Sequence, residues 1–300
     1  MTDSTIPIID THQHLWVRSV LDLEWTKGAG SLDDDFPIER YAREAAGMGV
    51  AKTIYMEVNC RLEQQQCEVD YVVGLCARDD NPMCAVIAGG DPASPDFADF
   101  AHVLADDRYV VGTRRVLHNN DKPPGSCLEP AFVANVQMLG ELGLTFDLCL
   151  RPAELADGIE LVDRCPQTTF IVDHCGNADP YVVNGQESAE PGSTYAHDAG
   201  QWRDDMQALA AQTNVYCKIS GIIARVRQDW QVTDLAPTVD HCLDRFGPER
   251  VIFGGDWPVC TLGAPLADWI VALRQIISHR STDDQRKLFY DNAARLFGLE

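Results

Sequence analysis

Two histidines separated by one residue carry the clearest chemical signal in the sequence. His12 and His14 lie in the segment DTHQH, which starts at Asp10 and ends a short apolar run. Residues i and i+2 of an extended strand point to the same side, so both imidazoles face one point, with Asp10 on the same face behind them. Converging imidazoles suit a divalent metal, for which Zn²⁺ is the commonest partner of nitrogen ligands. The alternative is a pair of hydrogen-bonded histidines without a ligand.

A third histidine and an aspartate follow two later apolar runs. His174 comes directly after the run at 169–173, and Asp256 follows the run at 250–254 in the segment FGGDWP. An aspartate beside a metal-bound or oriented water can act as general base and later as general acid. Asp256 is therefore the predicted base, and its alternative role is a helix N-cap ahead of Pro258.

Four further charged or polar side chains are candidates for the same site. Glu57 lies inside the apolar run IYMEV, where a carboxylate is costly unless it binds metal, contacts substrate or pairs with a core cation. Arg114, in GTRR, is the predicted clamp for a substrate carboxylate or hydroxyl. His118 could join it, or lie exposed in a loop. Lys218, in CKIS, is expected to be paired with Glu57 or Asp256, whereas Asp147 and Asp173 are expected to be structural.

Eight short apolar runs alternate with helical patterns along the chain. They lack clean alternation and are rich in Val, Ile, Tyr, Phe and Cys, which is typical of parallel strands buried on both faces. The predicted strands are 6–10, 52–58, 83–88, 109–116, 145–150, 169–173, 214–220 and 250–254. This order predicts an α/β fold, a (β/α)₈ TIM-type barrel formed by residues 1–300 as a single domain. A doubly wound open sheet is the alternative, but no GxGxxG follows the first run.

In such a barrel the strand C-termini form the catalytic face, and His12, His14, His174 and Asp256 all fall there. Two loops on that face exceed the ordinary length and are predicted lids, at 15–36 and 175–197. Trp16 and Tyr181, one in each loop, are predicted to contact the substrate. The alternative is that the outer half of each loop has no function.

The composition excludes several classes of partner. Asp and Glu number 46 against 24 Lys and Arg, a formal charge of −22, which repels nucleic-acid phosphates and anionic lipid surfaces. The eleven cysteines are scattered singly without a CxxC pair, so they predict buried thiols in a reducing compartment. There is no apolar run of 18 residues, and the first ten residues do not resemble a signal peptide, so we expect a cytoplasmic protein.

Several motifs together are similar to those of a known family. The segments DTHQHLW, GTRRVLH, FIVDHCGN, KISG, FGGDWP and DNAARLFGL resemble the amidohydrolase superfamily, and within it the "amidohydrolase family 2" group of sugar and 2-pyrone-4,6-dicarboxylate lactonases. The resemblance implies a distorted barrel that opens lactones, with His12, His14, His174 and Asp256 at metal or catalytic positions. The bridging lysine of binuclear members has no counterpart in the fifth run, so the resemblance implies one divalent metal, with Zn most expected, or none.

Three other functions remain open from the sequence. A non-oxidative decarboxylase of the same superfamily is disfavoured by Tyr216 and Lys218 where a further histidine would stand. An amide-hydrolysing member is a second alternative. A non-catalytic barrel would leave the three histidines and Asp256 far apart. The expected partner is a small lactone or carboxylic acid, and a homo-oligomer is compatible with the sequence.

Overall fold

Eight parallel strands form one sheet that closes almost completely into a barrel. The computed structural model describes residues 6–119, 122–188 and 190–299. The strands are β1 Ile8–Gln13, β2 Val50–Met56, β3 Met83–Gly89, β4 Val110–Val116, β5 Thr145–Cys149, β6 Phe170–Val172, β7 Val215–Ile219 and β8 Val251–Phe253. They pair in chain order from β1 to β8, which confirms the predicted (β/α)₈ fold. All eight overlap the predicted runs, although β1 continues to Gln13 and so includes His12.

Helices follow the strands and surround the barrel. The α-helices of five or more residues are Ile38–Glu44, Gln65–Cys76, Phe97–Ala105, Pro130–Glu141, Leu155–Arg164, Ala199–Ala211, Val232–Phe246, Leu266–Ile276, Thr282–Arg286 and Asn292–Phe297. Their apolar faces pack on the outside of the strands, where Trp202, Trp257 and Trp269 are fully buried. Among the described residues, no helix combines the length and the apolar character needed to cross a membrane.

The interior of the barrel changes in character from bottom to top. Near the N-terminal ends of the strands it is apolar, and the last helix packs against it. This lower cluster contains Ile9, Ile54, Met56, Ala85, Ile87, Ile171, Ile252 and Ala293. Toward the C-terminal ends the interior positions become Asp147, Asp173 and Lys218, all fully buried. The apolar lower layers stabilise the barrel, and the charged layer supports the face where loops meet.

The cysteines are free and mostly buried thiols, as predicted. All eleven are free, and ten of them are at least partly buried, whereas Cys67 is exposed. Burial raises the pKa of Cys76 to about 12 and also raises the pKa of the half-buried Cys84. These thiols therefore carry little reactive thiolate near neutral pH.

We predict that a chromogenic disulfide reagent labels one thiol rapidly in the native protein, at Cys67, and all eleven in denaturant. The reason is that Cys67 is the one exposed thiol among the eleven. The Cys67→Ser variant should lose the fast phase and keep the slow ones. Several fast thiols in the native protein would contradict the burial of the other ten.

Candidate active site

Three predicted site residues converge at the C-terminal end of the barrel. Nε2 of His12 lies 3.2 Å from Nε2 of His14. Oδ1 of Asp256 lies 3.6 Å from Nε2 of His12 and 3.5 Å from Nε2 of His14. All three residues are buried, so the convergence predicted from HxH and the end of the eighth strand is present in the fold.

A bulge in β1 orients the two histidines. Asp10 pairs with Thr53 of β2 and Gln13 pairs with Tyr55, so β1 has one residue more than β2 in this interval. The irregularity turns His12 into the barrel, whereas Asp10 faces the surrounding helices. The expectation that Asp10 lies behind the histidines on the same face was therefore wrong, because strict alternation fails at the bulge.

Asp10 instead ties β1 to the end of β8. Its carboxylate accepts hydrogen bonds from the backbone N–H of Gly255 at 2.7 Å, from the N–H of His12 at 3.1 Å and from Oη of Tyr41 at 2.8 Å. The N–H of Asp256 donates to the carbonyl of His12 at 2.8 Å. Asp256 has a φ of +55°, a strained conformation that these contacts hold in place.

The hydrogen bond of His14 prepares it to be a metal ligand. Nδ1 of His14 lies 3.0 Å from the carbonyl oxygen of Met56, so Nδ1 carries the proton and the lone pair of Nε2 faces His12 and Asp256. In a tetrahedral zinc site, ligand atoms stand about 3.3 Å apart. The 3.2, 3.5 and 3.6 Å separations among His12, His14 and Asp256 fit this spacing. The donor set therefore fits one divalent metal.

His174 reaches the same point from β6 through an unusual backbone turn. Residues 174–177 all have φ between +54° and +68°, so they form a left-handed turn that costs free energy for residues other than glycine. The ring of His174 lies 4.4 Å from that of His12, and its Nδ1 lies 2.9 Å from Oγ of Ser220. Gly221 contacts this ring, and a Cβ at that position would overlap it.

A network of buried charges lies directly below His12. Nζ of Lys218 donates to Asp147 at 2.5 Å and to Asp173 at 2.9 Å, and it lies 3.3 Å from Nδ1 of His12. The partners of Lys218 are thus Asp147 and Asp173, rather than the expected Glu57 or Asp256. Asp173 also stands 3.5 Å from Nδ1 of His12, so it belongs to the surroundings of the site, although it was expected to be only structural.

Glu57 and Arg114 complete this network. Nε of Arg114 donates to Oε1 of Glu57 at 2.6 Å, and one terminal nitrogen donates to Asp173 at 3.2 Å. Of the two alternatives weighed for Glu57, the structure shows the salt bridge to a core arginine. His12, Asp173 and His174 form a second group with metal-ligand spacing, but Asp173 already accepts from Lys218 and Arg114. The geometry therefore favours one metal over two.

Burial and neighbouring charges determine the ionisation of the site. Burial, together with the Lys218 ammonium, lowers the pKa of His12 well below its usual value. Burial also lowers the pKa of His174. Burial alone would raise the pKa of Asp256, but the nearby imidazoles, that of His174 first, hold it below its usual value. Near neutral pH, Asp256 is thus a carboxylate, and the lowered pKa values of His12 and His174 favour the neutral form of these two imidazoles.

A cavity of about 360 Å³ opens above these residues. His14, Arg114, His174 and Asp256 form part of its lining, together with residues from the loops after several strands. The other lining residues are Trp25, Ala29, Leu32, Val58, Asn59, Val116, His118, Asn119, Asn177, Glu190, Tyr195, Gly221, Ala224, Arg225, Val259 and Leu262. Both predicted lid loops contribute, the first at Trp25 and the second at Tyr195.

Three predicted substrate contacts lie away from this cavity. Trp16 is buried against Phe36, and its Nε1 donates to the carbonyl of Asp34. Tyr181 is buried, and its hydroxyl accepts from the N–H of Arg227. Lys218 is enclosed below His12. In each loop one aromatic residue packs in the core and another lines the cavity. Trp16 and Tyr181 are the packed residues, and Trp25 and Tyr195 are the lining residues.

His118, for which the sequence left a substrate contact or an exposed loop position open, lines the cavity. Arg225 is a lining residue that the sequence did not reveal. Burial lowers the pKa of His118 to about 3, and its Nδ1 lies 3.3 Å from Sγ of Cys149. Arg225 stacks 3.7 Å above the ring of Tyr195 and donates to Oδ1 of Asn177 at 2.8 Å. The only feature of the sequence that pointed to Arg225 was its position shortly after the seventh strand, on the side of the barrel where the site lies.

Comparisons with known proteins agree with this geometry. A family model described as amidohydrolase (Amidohydro_2) matches residues 9–299. The chain belongs to the amidohydrolase family. This confirms the resemblance drawn from the sequence motifs, and the prediction of a hydrolase of this family.

Individual relatives within the amidohydrolase family include lactonases. The chain is 28% identical to an L-fucono-1,5-lactonase of Burkholderia ambifaria, over 97% of this chain and 96% of that protein. It is 26% identical to an L-rhamnono-gamma-lactonase of Scheffersomyces stipitis, over 66% of this chain and 60% of that protein. A solved amidohydrolase from Burkholderia multivorans with bound zinc matches with a TM-score of 0.81 and 23% identity, covering 98% of this chain and all of that one. That last likeness shows the shared fold.

We predict that Gly221→Ala displaces His174 and lowers kcat/KM by about a hundredfold, because small misplacements of site residues are that costly. An alanine at its φ of +71° also destabilises the fold by about 1–2 kcal/mol. Steady-state kinetics and thermal unfolding measure the two effects separately.

The matched control is Gly143→Ala. Gly143 has a φ of +75°, but a Cβ added at this position would have no atom within 4 Å. The control should therefore show the loss of stability with full activity. Equal activity of the two variants would mean that contact between Gly221 and His174 does not matter.

Proposed function

We propose that this amidohydrolase opens a lactone ring by attack of water on the ring carbonyl. The observation that carries the proposal is the convergence of His12, His14 and Asp256 at the base of a cavity with His174 beside them. The lactonase names of the curated relatives support the same reaction. The product would be the corresponding hydroxy acid.

The metal in this proposal is one Zn²⁺ held by His12, His14 and Asp256, whose spacing suits tetrahedral coordination. When bound, the ion would supply Lewis-acid polarisation of a carbonyl and lower the pKa of water. For Nε2 of His12 to bind the ion, Nδ1 must carry the proton and donate to Asp173, which lies 3.5 Å away. Lys218 then donates to Asp147 and Asp173 and only contacts the ring. This arrangement orients the ligand before any ion binds.

Asp256 acts on the proton of the attacking water. As a carboxylate near neutral pH, it accepts that proton while the water oxygen bonds to the carbonyl carbon. It then donates the proton to the ring oxygen as the carbon–oxygen bond breaks, which yields a carboxyl group and a hydroxyl. His174, neutral and anchored through Nδ1 to Ser220, leaves Nε2 for a hydrogen bond to the substrate.

Arg225 is the proposed clamp for a hydroxyl or carboxylate of the substrate, a role for which Arg114 was the predicted residue and which His118 could join. The N–H groups of Arg114 are already engaged by Glu57 and Asp173. Arg225 contacts the neutral acceptors Asn177 and Ala178, and its Nε is without a hydrogen-bond partner among the described residues. In a chain of net charge −22, such a guanidinium at the cavity is suited to an anionic or hydroxylated group.

The two long loops are the proposed lids of the site. Residues 15–36 provide Trp25, Ala29 and Leu32 to the lining, and residues 175–197 provide Asn177, Glu190 and Tyr195. Their contribution to the wall of the cavity supports this role, because closure over a substrate would exclude bulk water from the carbonyl.

We predict that Asp256→Asn lowers kcat by about 10²–10⁴-fold, since the proton acceptor is lost. Asparagine tolerates a positive φ, so the fold should be retained, as circular dichroism would check. The assay is a pH-indicator screen over aldono- and pyrone-lactones. The exposed Asp79→Asn serves as the matched control and should keep full activity.

Full turnover by the Asp256→Asn protein on a lactone that the wild type hydrolyses would remove Asp256 from its assigned role. Release of CO₂ without consumption of any lactone would favour the decarboxylase alternative instead.

We predict that the purified protein binds about one zinc per chain, as expected of a mononuclear site with three protein ligands and one open position. Elemental analysis after dialysis against zinc and then buffer measures it. The His14→Ala variant should lose most of the metal. About two zinc ions per chain would contradict the argument that Asp173, bound to Lys218 and Arg114, does not bind a second metal. Full activity of the metal-free protein would contradict a role for the metal in the reaction.

A further inference from the structure

The cavity above His14 and Asp256 has two chemically different sides. We call the six apolar residues that line one side the apolar wall. They are Trp25, Ala29 and Leu32 after β1, Val58 after β2, and Val259 and Leu262 after β8. Because β8, β1 and β2 are neighbours around the barrel, these residues form one continuous arc.

The opposite side of the cavity is polar. It consists of residues after β4, β6 and β7, none of which is a direct neighbour of β1: His118, Asn119, Asn177, Glu190, Tyr195 and Arg225. Asn59 on the apolar side, and Val116 and Ala224 on the polar side, are the exceptions. A ligand that fills the cavity therefore meets hydrogen-bonding groups on one side and hydrocarbon on the other.

Trp25 is held rigidly while much of its ring stays exposed. Its Nε1 donates to the carbonyl of Val58 at 2.8 Å, and its ring packs edge-on against Trp16 at 5.4 Å. Even so, 39% of Trp25 is exposed. With the indole N–H already satisfied, the surface that remains for a ligand is an apolar aromatic face, positioned without further loss of conformational entropy.

Leu262 is the second exposed apolar group of the wall. It ends the helical turn Val259–Leu262, which is anchored by the buried Cys260. Leu262 itself is 53% exposed, so its side chain contributes little to the stability of that turn. Among the described residues, five large hydrophobic side chains are exposed, and two of these five line this cavity. This concentration indicates a binding surface.

We propose that the apolar wall binds an alkyl or aryl substituent carried by the lactone ring, while the polar side binds the oxygenated edge of the same molecule. The occupant is part of the substrate because the wall is built on β1 and β8, the strands that also carry His14 and Asp256. The cavity of about 360 Å³ falls in the size range of pockets that enclose ligands larger than one small ring. This inference rests on the proposed lactone hydrolysis.

The test is a series of lactones that differ only in an n-alkyl substituent, from hydrogen to propyl. In the wild type, kcat/KM should rise about threefold to fourfold for each added methylene that the wall buries. Leu262→Ser should flatten this rise. Leu62→Ser is the matched control, because Leu62 is also exposed, at 50%, but does not line this cavity, and it should keep the wild-type rise.

A wild-type rate that is independent of alkyl length, or an equal rise in Leu262→Ser and Leu62→Ser, would overturn the inference and leave lactone hydrolysis standing. If no lactone is hydrolysed, the proposed function fails. Calorimetric binding of lactams with the same substituents then tests the wall alone. The proposal is supported if affinity rises with alkyl length in the wild type and the rise is smaller in Leu262→Ser. It is overturned if all lactams bind equally or none binds.

Discussion

The need to neutralise charge inside the barrel governs the architecture of this site. Five ionisable side chains are buried beneath or beside His12, namely Glu57, Arg114, Asp147, Asp173 and Lys218. Ions removed from water are costly unless they are paired. Lys218 meets Asp147 and Asp173, and Arg114 meets Glu57 and Asp173. The network thus holds three carboxyl groups and two cations. Burial raises the pKa of Asp147 to about 7, so this carboxyl group can be protonated, and the charges of the network then balance.

This network fixes the position of His12 in the upper layer of the barrel, where we propose that the chemistry takes place. Removing one member would leave an unpaired charge in a closed interior, so the members hold one another in a single arrangement. His12 lies on top of that arrangement, touched by Lys218 and Asp173 from below. Irregular backbone positions the other side chains of the site. These irregularities are a bulge in β1 and left-handed conformations at His174 and Asp256. Regular strands alone would not aim these groups at one point.

The sequence was informative wherever a pattern is local. Apolar runs gave the eight strands, and the residues that follow those runs gave His12, His14, His174 and Asp256. The bulge in β1 depends on register with β2, which a single strand does not encode, so Asp10 was assigned to the wrong side. Two aromatic residues in one loop, Trp16 and Trp25, look alike in sequence. Trp16 is the buried one because it packs against Phe36. This contact forms only in the folded chain, so the sequence could not show which of the two tryptophans it involves.

The tie between Asp10 and Gly255 joins residues 245 positions apart in the chain. Closing so long an interval of chain costs conformational entropy before the contact is made, which slows its formation. On the ribosome, β1 must therefore wait for β8 to be synthesised before the two histidines and Asp256 can meet. A nascent chain that already has most of its strands still lacks a functional centre. The proposed site is therefore complete only when the first and last strands of the barrel have met, and it does not grow with the length of the chain.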